Sequence, residues 1–119
     1  MSDLKLHDSE YKFISVIWDL EPVNSTELVR ACETRLGWKK STTYTMLRKL
    51  ADRELLKNEN ATVTTLVTRG QARKYEAEMV LNRSFDGSLP AFIAAFLQDR
   101  PLMEKDALII WKMIQEARK

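Results

Sequence analysis

Apolar side chains recur three and four positions apart through most of this chain, and the breaks in that pattern mark its joints. Tyr11, Phe13, Ile14, Ile17, Trp18 and Leu20 share one face of a first helix. Asp8 or Ser9 can cap its start, and residues 1–7 before it read as loose. Pro22 ends it, because proline disfavours helix at the preceding residue. A second helix opens at Asn24 or Ser25, with Glu27 placed three after Asn24 as in a capping box. Leu28, Val29, Cys32 and Leu36 form its buried side, and Gly37 suits a C-terminal stop. Trp38 fills the gap before a third helix at 41–54, for which Ser41 is a natural N-cap. Met46, Leu47 and Leu50 lie on one side of that helix, and Arg48, Lys49 and Asp52 on the other. Helices two and three are joined by a few residues containing glycine, the spacing of a helix-turn-helix. Many all-helical folds contain such a pair, so this signal is weak by itself.

After Leu56 the period changes from that of a helix to that of a strand. Residues 62–68 (TVTTLVT) are rich in β-branched side chains, and Val63, Thr65 and Val67 share one face. Residues 55–58 and 62–67 form a hairpin with its tip near Glu59-Asn60-Ala61. Three helices followed by a hairpin make a winged helix.

Helical spacing then returns. Thr68 caps a fourth helix with Gln71 three positions on, and the helix runs to about Phe85, where Asp86-Gly87-Ser88 breaks it. A fifth helix, 88–99, carries Leu89, Phe92, Ile93, Phe96 and Leu97, and Arg100-Pro101 ends it. A sixth, 103–118, carries Ala107, Leu108, Ile109, Ile110, Trp111, Met113 and Ile114. These two helices are too apolar all round for a monomer's surface, and so short a tail cannot bury them on itself. Either helices of two chains interleave in a homodimer, the reading preferred here, or the tail packs back on the N-terminal part. In the dimer Leu81, Phe85, Leu89, Phe92, Phe96, Trp111 and Ile114 are the anchors. The fold class is therefore mainly α with a small β-hairpin. It comprises a winged helix-turn-helix domain at 1–68 and a C-terminal helical dimerisation segment at 69–119.

Composition adds a few exclusions. With 45% hydrophobic and 30% charged residues, the 119-residue chain has the make-up of a soluble folded protein. Its net charge of +2 permits nucleic-acid binding without arguing for it. The basic excess is local: Lys39, Lys40, Arg48, Lys49, Arg53 and Lys57 face only Asp52 and Glu54 across the third helix. One cysteine, Cys32, and one histidine, His7, leave no intrachain disulfide and no Cys/His zinc site. No apolar run approaches the roughly 18 residues that span a bilayer, and there is no signal-peptide core. Membrane insertion is not expected, and a cytoplasmic, reducing location is. Cys32 reads as a small buried apolar residue. There is no Cys–His or Ser–His pairing, no glycine-rich phosphate loop and no carboxylate pair with an obvious base, so an enzyme is not expected, nor a cofactor or metal.

The chemistry concentrates in Trp38–Leu56 (WKKSTTYTMLRKLADRELL). A helix that begins with lysines and small hydroxyls and carries arginine outside suits a groove of double-stranded DNA. Lys40, Ser41 and Thr42 are placed for phosphates, and Lys49 joins them as a contact. Thr45 and Arg48 point outward for base edges, arginine to guanine and threonine to a thymine methyl or an amino group. Tyr44 either stacks near the backbone or closes the core, and Thr43 faces inward. In the wing, Lys57, Asn58 and Asn60 are weaker candidates. The plain alternative for the whole stretch is an amphipathic helix with a solvated basic face. Phe92, Phe96 and Trp111 read as packing anchors, not as a ligand box.

The order and spacing of these residues resemble the penicillinase-repressor type of transcriptional regulators. That family includes repressors of β-lactamase and methicillin-resistance genes and copper-responsive repressors. The resemblance covers nearly the whole chain. It is carried by Glu10, Trp18, Pro22 and Glu27; by Trp38, Ser41-Thr42-Thr43, Thr45, Leu47 and Leu50; and by Gly87-Ser88-Leu89 before an apolar helix. It implies a homodimeric winged-helix repressor on a palindromic operator, with two recognition helices about 10 base pairs apart or a multiple of that. It also brings in a regulatory protease, because β-lactam-responsive members are cleaved at an asparagine–phenylalanine bond in the helix corresponding to 88–99. The matching position is Ala95-Phe96, without the asparagine. Two further departures stand out. Glu54 occupies a position where the family commonly has glycine, and the wing lacks the family's arginine. The copper-responsive members' C-terminal cysteine cluster has no counterpart in the sequence. The competing function is a winged-helix protein-interaction module without sequence-specific DNA binding, kept open by the arginine-free wing.

Overall fold

A computed structural model describes residues 4–118. Among them the elements follow in the order α1 (Asp8–Leu20), β1 (Val23–Asn24), α2 (Ser25–Leu36), α3 (Lys40–Asp52), β2 (Leu56–Glu59), β3 (Thr62–Thr65), α4 (Arg69–Phe85), α5 (Leu89–Leu97) and α6 (Glu104–Ala117). The three strands form one antiparallel sheet in the order β1-β3-β2. This is the expected winged helix with one addition. The hairpin gains a third strand of two residues, in which Val23 pairs with Val63 and Asn24 with Thr62.

Local chemistry accounts for most of the boundaries. Asn24 caps α2, its side-chain oxygen accepting from the Thr26 amide at 2.8 Å. Gly37 ends that helix at φ 69°, and the amides of Gly37 and Trp38 return to the carbonyls of Glu33 and Cys32. At α4, Thr68 and Gln71 form a reciprocal capping box: the Gln71 side chain accepts from the Thr68 amide at 2.9 Å and the Thr68 hydroxyl from the Gln71 amide at 3.0 Å. Ser88 caps α5 by accepting from the Ala91 amide at 3.1 Å, after a turn in which Asp86 and Gly87 both have positive φ.

Several boundaries differ from expectation. The cap of α1 is His7, whose amide donates to the Glu10 carboxylate at 2.8 Å. The loose start therefore fails at 4–7, where Leu4 and Leu6 pack on the core; residues 1–3 lie outside the described residues. Helix α3 begins at Lys40, one residue early, so Ser41 lies inside its first turn and is not the cap; the capping position, Lys39, offers no side-chain bond. Helices α5 and α6 are each slightly shorter than their spacing suggested, because Met103 becomes the cap of α6 and Gln98 that of α5.

The chain divides into two compact units between Ala77 and Glu78, inside α4. The first has a core in which Phe13, Ile14 and Ile17 of α1 meet Leu28 and Cys32 of α2, Leu47 and Leu50 of α3, and Leu55, Leu56 and Val63 around the sheet. In the second unit, none of the residues of α5 or α6 is buried. Phe85, Phe92 and Phe96 do form a run of aromatic contacts at 5.3 and 6.4 Å between centroids. Leu89, Phe96, Trp111 and Ile114 nevertheless stand about half exposed, while Leu81, Phe85 and Phe92 are partly covered.

Candidate nucleic-acid interface

Helix α3 is held from behind and left bare in front. Thr43, Leu47 and Leu50 are buried, and they recur at the spacing of one helical stripe. Ser41, Thr45, Arg48 and Asp52 fall on the opposite stripe and are all exposed. Thr42 is exposed on one flank. Lys40 and Tyr44 lie on the other flank, with the Lys40 ammonium 6.0 Å from the centre of the half-buried Tyr44 ring. Tyr44 thus closes the core and also carries a cation. Among the described residues, Arg48 has no hydrogen-bonding or ionic partner within the protein. The four side chains facing outward are two hydroxyls, a guanidinium and, at the far end, the carboxylate of Asp52.

The launch of this helix is rigid. Trp38 stacks on Phe13 with ring centroids 5.5 Å apart and planes within 11°, so the turn after Gly37 is pinned to α1. Its exit is also fixed. Glu54 takes φ 61°, its amide returns to Ala51 at 2.9 Å, and Leu55 goes straight into the core.

Lys49 is directed differently from the other candidates. Its Nζ lies 3.0 Å from the Glu10 carboxylate, which is 1% exposed and also receives Arg53 at 3.3 Å. Arg53 donates as well to the Lys5 carbonyl. Burial works against a charge on Glu10, but the His7 amide and then Lys49 and Arg53 outweigh it, holding the carboxyl below its ordinary value. Sequence reasoning missed this group. A glutamate in the first turn of a helix looks like a solvated charge, and only the pairing of Lys49 and Arg53 on one flank of α3 hints at an acidic partner.

The wing is a tight two-residue hairpin. Glu59 pairs with Thr62, and Asn60 and Ala61 between them both have positive φ, the signature of a type I′ turn. Asn60 is exposed at the tip, and Asn58 and Lys57 are exposed on β2. Lys57 is paired with Glu59 at 3.0 Å, so the one lysine of the wing spends part of its charge locally. The tip does not hang free: the Ala61 carbonyl accepts from the Ser25 amide at 2.8 Å. At the other end of β3, the Glu21 carboxylate accepts from both the amide and the hydroxyl of Thr65 at 2.8–2.9 Å.

Of the expected contacts, the structure gathers Ser41, Thr42, Thr45 and Arg48 on the exposed side of α3, with Lys40 beside them. Lys49 is drawn to the flank, and Lys57 and Asn60 lie on the separate wing. No group of three or more metal-ligating side chains occurs among the described residues, and no helix among them is long and apolar enough to cross a membrane.

Comparison with known proteins gives a consistent result. A family profile described as "Penicillinase repressor" matches residues 6–116. The Penicillinase repressor of Bacillus licheniformis is 21% identical over 116 residues, covering 94% of this chain and 91% of that protein.

Proposed function

The chain belongs to the penicillinase repressor family, and from that premise we propose that it represses transcription as a homodimer that grips a palindromic operator through α3. The observation that carries this reading is the outward stripe of α3, where Arg48 and two hydroxyls stand free while three buried residues anchor the helix behind them. Lys40, Ser41 and Thr42 hold phosphates near the helix start, where free amides also favour anions. Thr45 and Arg48 read base edges in the major groove. Lys57 and Asn60 make at most a secondary contact from the wing.

The second copy is needed for grip. One chain with a net charge of +2 neutralises few phosphates, and doubling the surface raises both affinity and salt dependence. The half-exposed Leu89, Phe96, Trp111 and Ile114, with Leu81, Phe85 and Phe92, supply the apolar face for that pairing. In this reading the division of labour follows 1–68 for DNA and 69–119 for pairing. Ala95 and Phe96 both lie exposed on α5, so a regulatory protease cutting there would separate α6 from the DNA-binding part. A repressor of this kind works in the cytoplasm.

The test is a gel shift with a duplex from the promoter beside the protein's own gene, over graded salt, with sedimentation of the free protein. Binding that weakens steeply with salt, by a protein sedimenting as a dimer, supports the reading. The competing protein-interaction module is favoured by the pairing of Lys57 with Glu59, which leaves the wing without an uncommitted lysine. It predicts no shift at any salt.

A further inference from the structure

We infer that Glu10 is a positioning residue for DNA recognition, and that Lys49 serves as its counter-ion and not as a phosphate ligand. The inference rests on α3 being the DNA-contacting helix. The geometry is that of a clamp between two helices. Glu10 sits in the first turn of α1, only 1% exposed, with one carboxylate oxygen taken by the His7 amide at 2.8 Å. Its other oxygen receives Lys49 at 3.0 Å and Arg53 at 3.3 Å, both from the last turn of α3 and the residue that ends it. A carboxylate this deeply placed is tolerable only if its charge is matched and its lone pairs are filled. Both conditions are met, and both depend on α3 lying where it does.

The consequence for recognition follows from the helix wheel. The buried stripe of Thr43, Leu47 and Leu50 fixes how far α3 stands from the core, but apolar packing is only weakly directional. The charged contacts lie on one flank and at one end, so they set the rotation of α3 about its axis and the tilt of its C-terminal turn. Rotation decides where Arg48 points, because Arg48 shares the turn with Lys49. A lysine that faces a buried anion at 3.0 Å is also a poor phosphate ligand. To reach DNA it would have to give up its 3.0 Å contact and leave Arg53 to balance the buried carboxylate.

The test uses the full-length protein and the duplex from its own promoter, comparing Lys49→Met, Glu10→Gln and the double variant, with Arg48→Ala as reference. Thermal melts establish that each variant is folded at the assay temperature. The expected result is that Lys49→Met weakens binding about tenfold, as losses through coupled contacts do. The slope of log affinity against log salt stays at the wild-type value. Glu10→Gln has a similar effect, and the double variant binds no worse than the weaker single. A phosphate ligand behaves otherwise: its removal lowers the salt slope by about 0.9 per chain. A reduced slope for Lys49→Met, additive losses in the double variant, or undiminished affinity in Lys49→Met overturns the inference. Should Glu10→Gln fail to fold, the slope and affinity of Lys49→Met still decide. If Arg48→Ala binds like the wild type while Lys49→Met does not, the loss does not pass through Arg48 and the inference is overturned. If the wild type shifts no DNA at any salt, the repressor reading falls and this inference falls with it.

Discussion

The indole Nε1 of Trp18 donates to the carbonyl of Val67 at 2.9 Å, joining the end of α1 to the segment that leaves the wing, 49 positions further along the chain. The same ring carries the Arg69 guanidinium 5.3 Å from its centre, and Arg69 reaches on to Asp19 at 2.8 Å. One aromatic side chain thus fastens the first turn of α4 to α1.

Replacing Trp18 by phenylalanine keeps most of the ring but leaves the Val67 carbonyl without its donor. The variant should lose about 1–3 kcal/mol of unfolding free energy, as unsatisfied buried acceptors do. Urea unfolding followed by circular dichroism measures this. A midpoint equal to the wild type would mean that water replaces the indole at no cost.

Glu54 holds φ 61° with a full side chain, a conformation that glycine adopts freely. Glu54→Gly should stabilise the protein by about 1 kcal/mol, the left-handed penalty less the entropy glycine loses on folding. The readout is the urea midpoint, and a lower midpoint contradicts the expectation.

Acid should weaken the fold through two carboxylates. Glu10 lies below its ordinary 4.5, because the His7 amide, Lys49 and Arg53 outweigh its burial. Asp19 lies below its ordinary 3.8, chiefly through Arg69 and then Arg35. Each group binds fewer protons folded than unfolded. Its stabilisation is therefore complete above the ordinary value and is lost as pH falls through that value toward the depressed one. Unfolding free energy measured between about pH 6 and pH 3 should fall on the acid side, and Glu10→Gln should flatten that limb. An identical acid limb in the variant would remove Glu10 from the account.

Cys32 is fully buried, and that burial pushes its thiol up. The native protein should leave a thiol reagent unconsumed at neutral pH, while the unfolded protein titrates one thiol per chain. Prompt reaction in the native state would show that α2 opens.

Arg48→Ala should cost about 1–3 kcal/mol of operator binding and relax selectivity at one base position. If Arg48→Ala and Lys40→Ala together leave affinity unchanged, α3 is not the contact helix.

How much of this was legible in the sequence depended on how far apart the deciding atoms lie. The caps at Asn24, Gly37 and Thr68/Gln71 span a few residues, and they were readable because their chemistry is local. The inward face of α3 was readable for the same reason from Leu47 and Leu50, with Thr43 turned inward, though Met46, grouped with them, is only half-buried. Strand β1 was not, since two residues carry no periodicity and its pairing with Val63 is made 40 positions away. The Ser41 cap failed because the helix starts at Lys40, which puts Ser41 inside its first turn. For Lys49 a helix wheel shows where the side chain leaves α3 but not the buried Glu10 to which it turns. For α5 and α6 the spacing revealed apolar faces, but a single chain's sequence does not name what covers them.

Those two helices leave large side chains such as Trp111 and Met113 more than half in water in the single chain. A second copy that removed them from water would add its own chemical potential to the folded state and make stability a function of protein concentration as well as temperature. A melting point recorded for such a pair would be meaningful only beside the dilution at which it was taken.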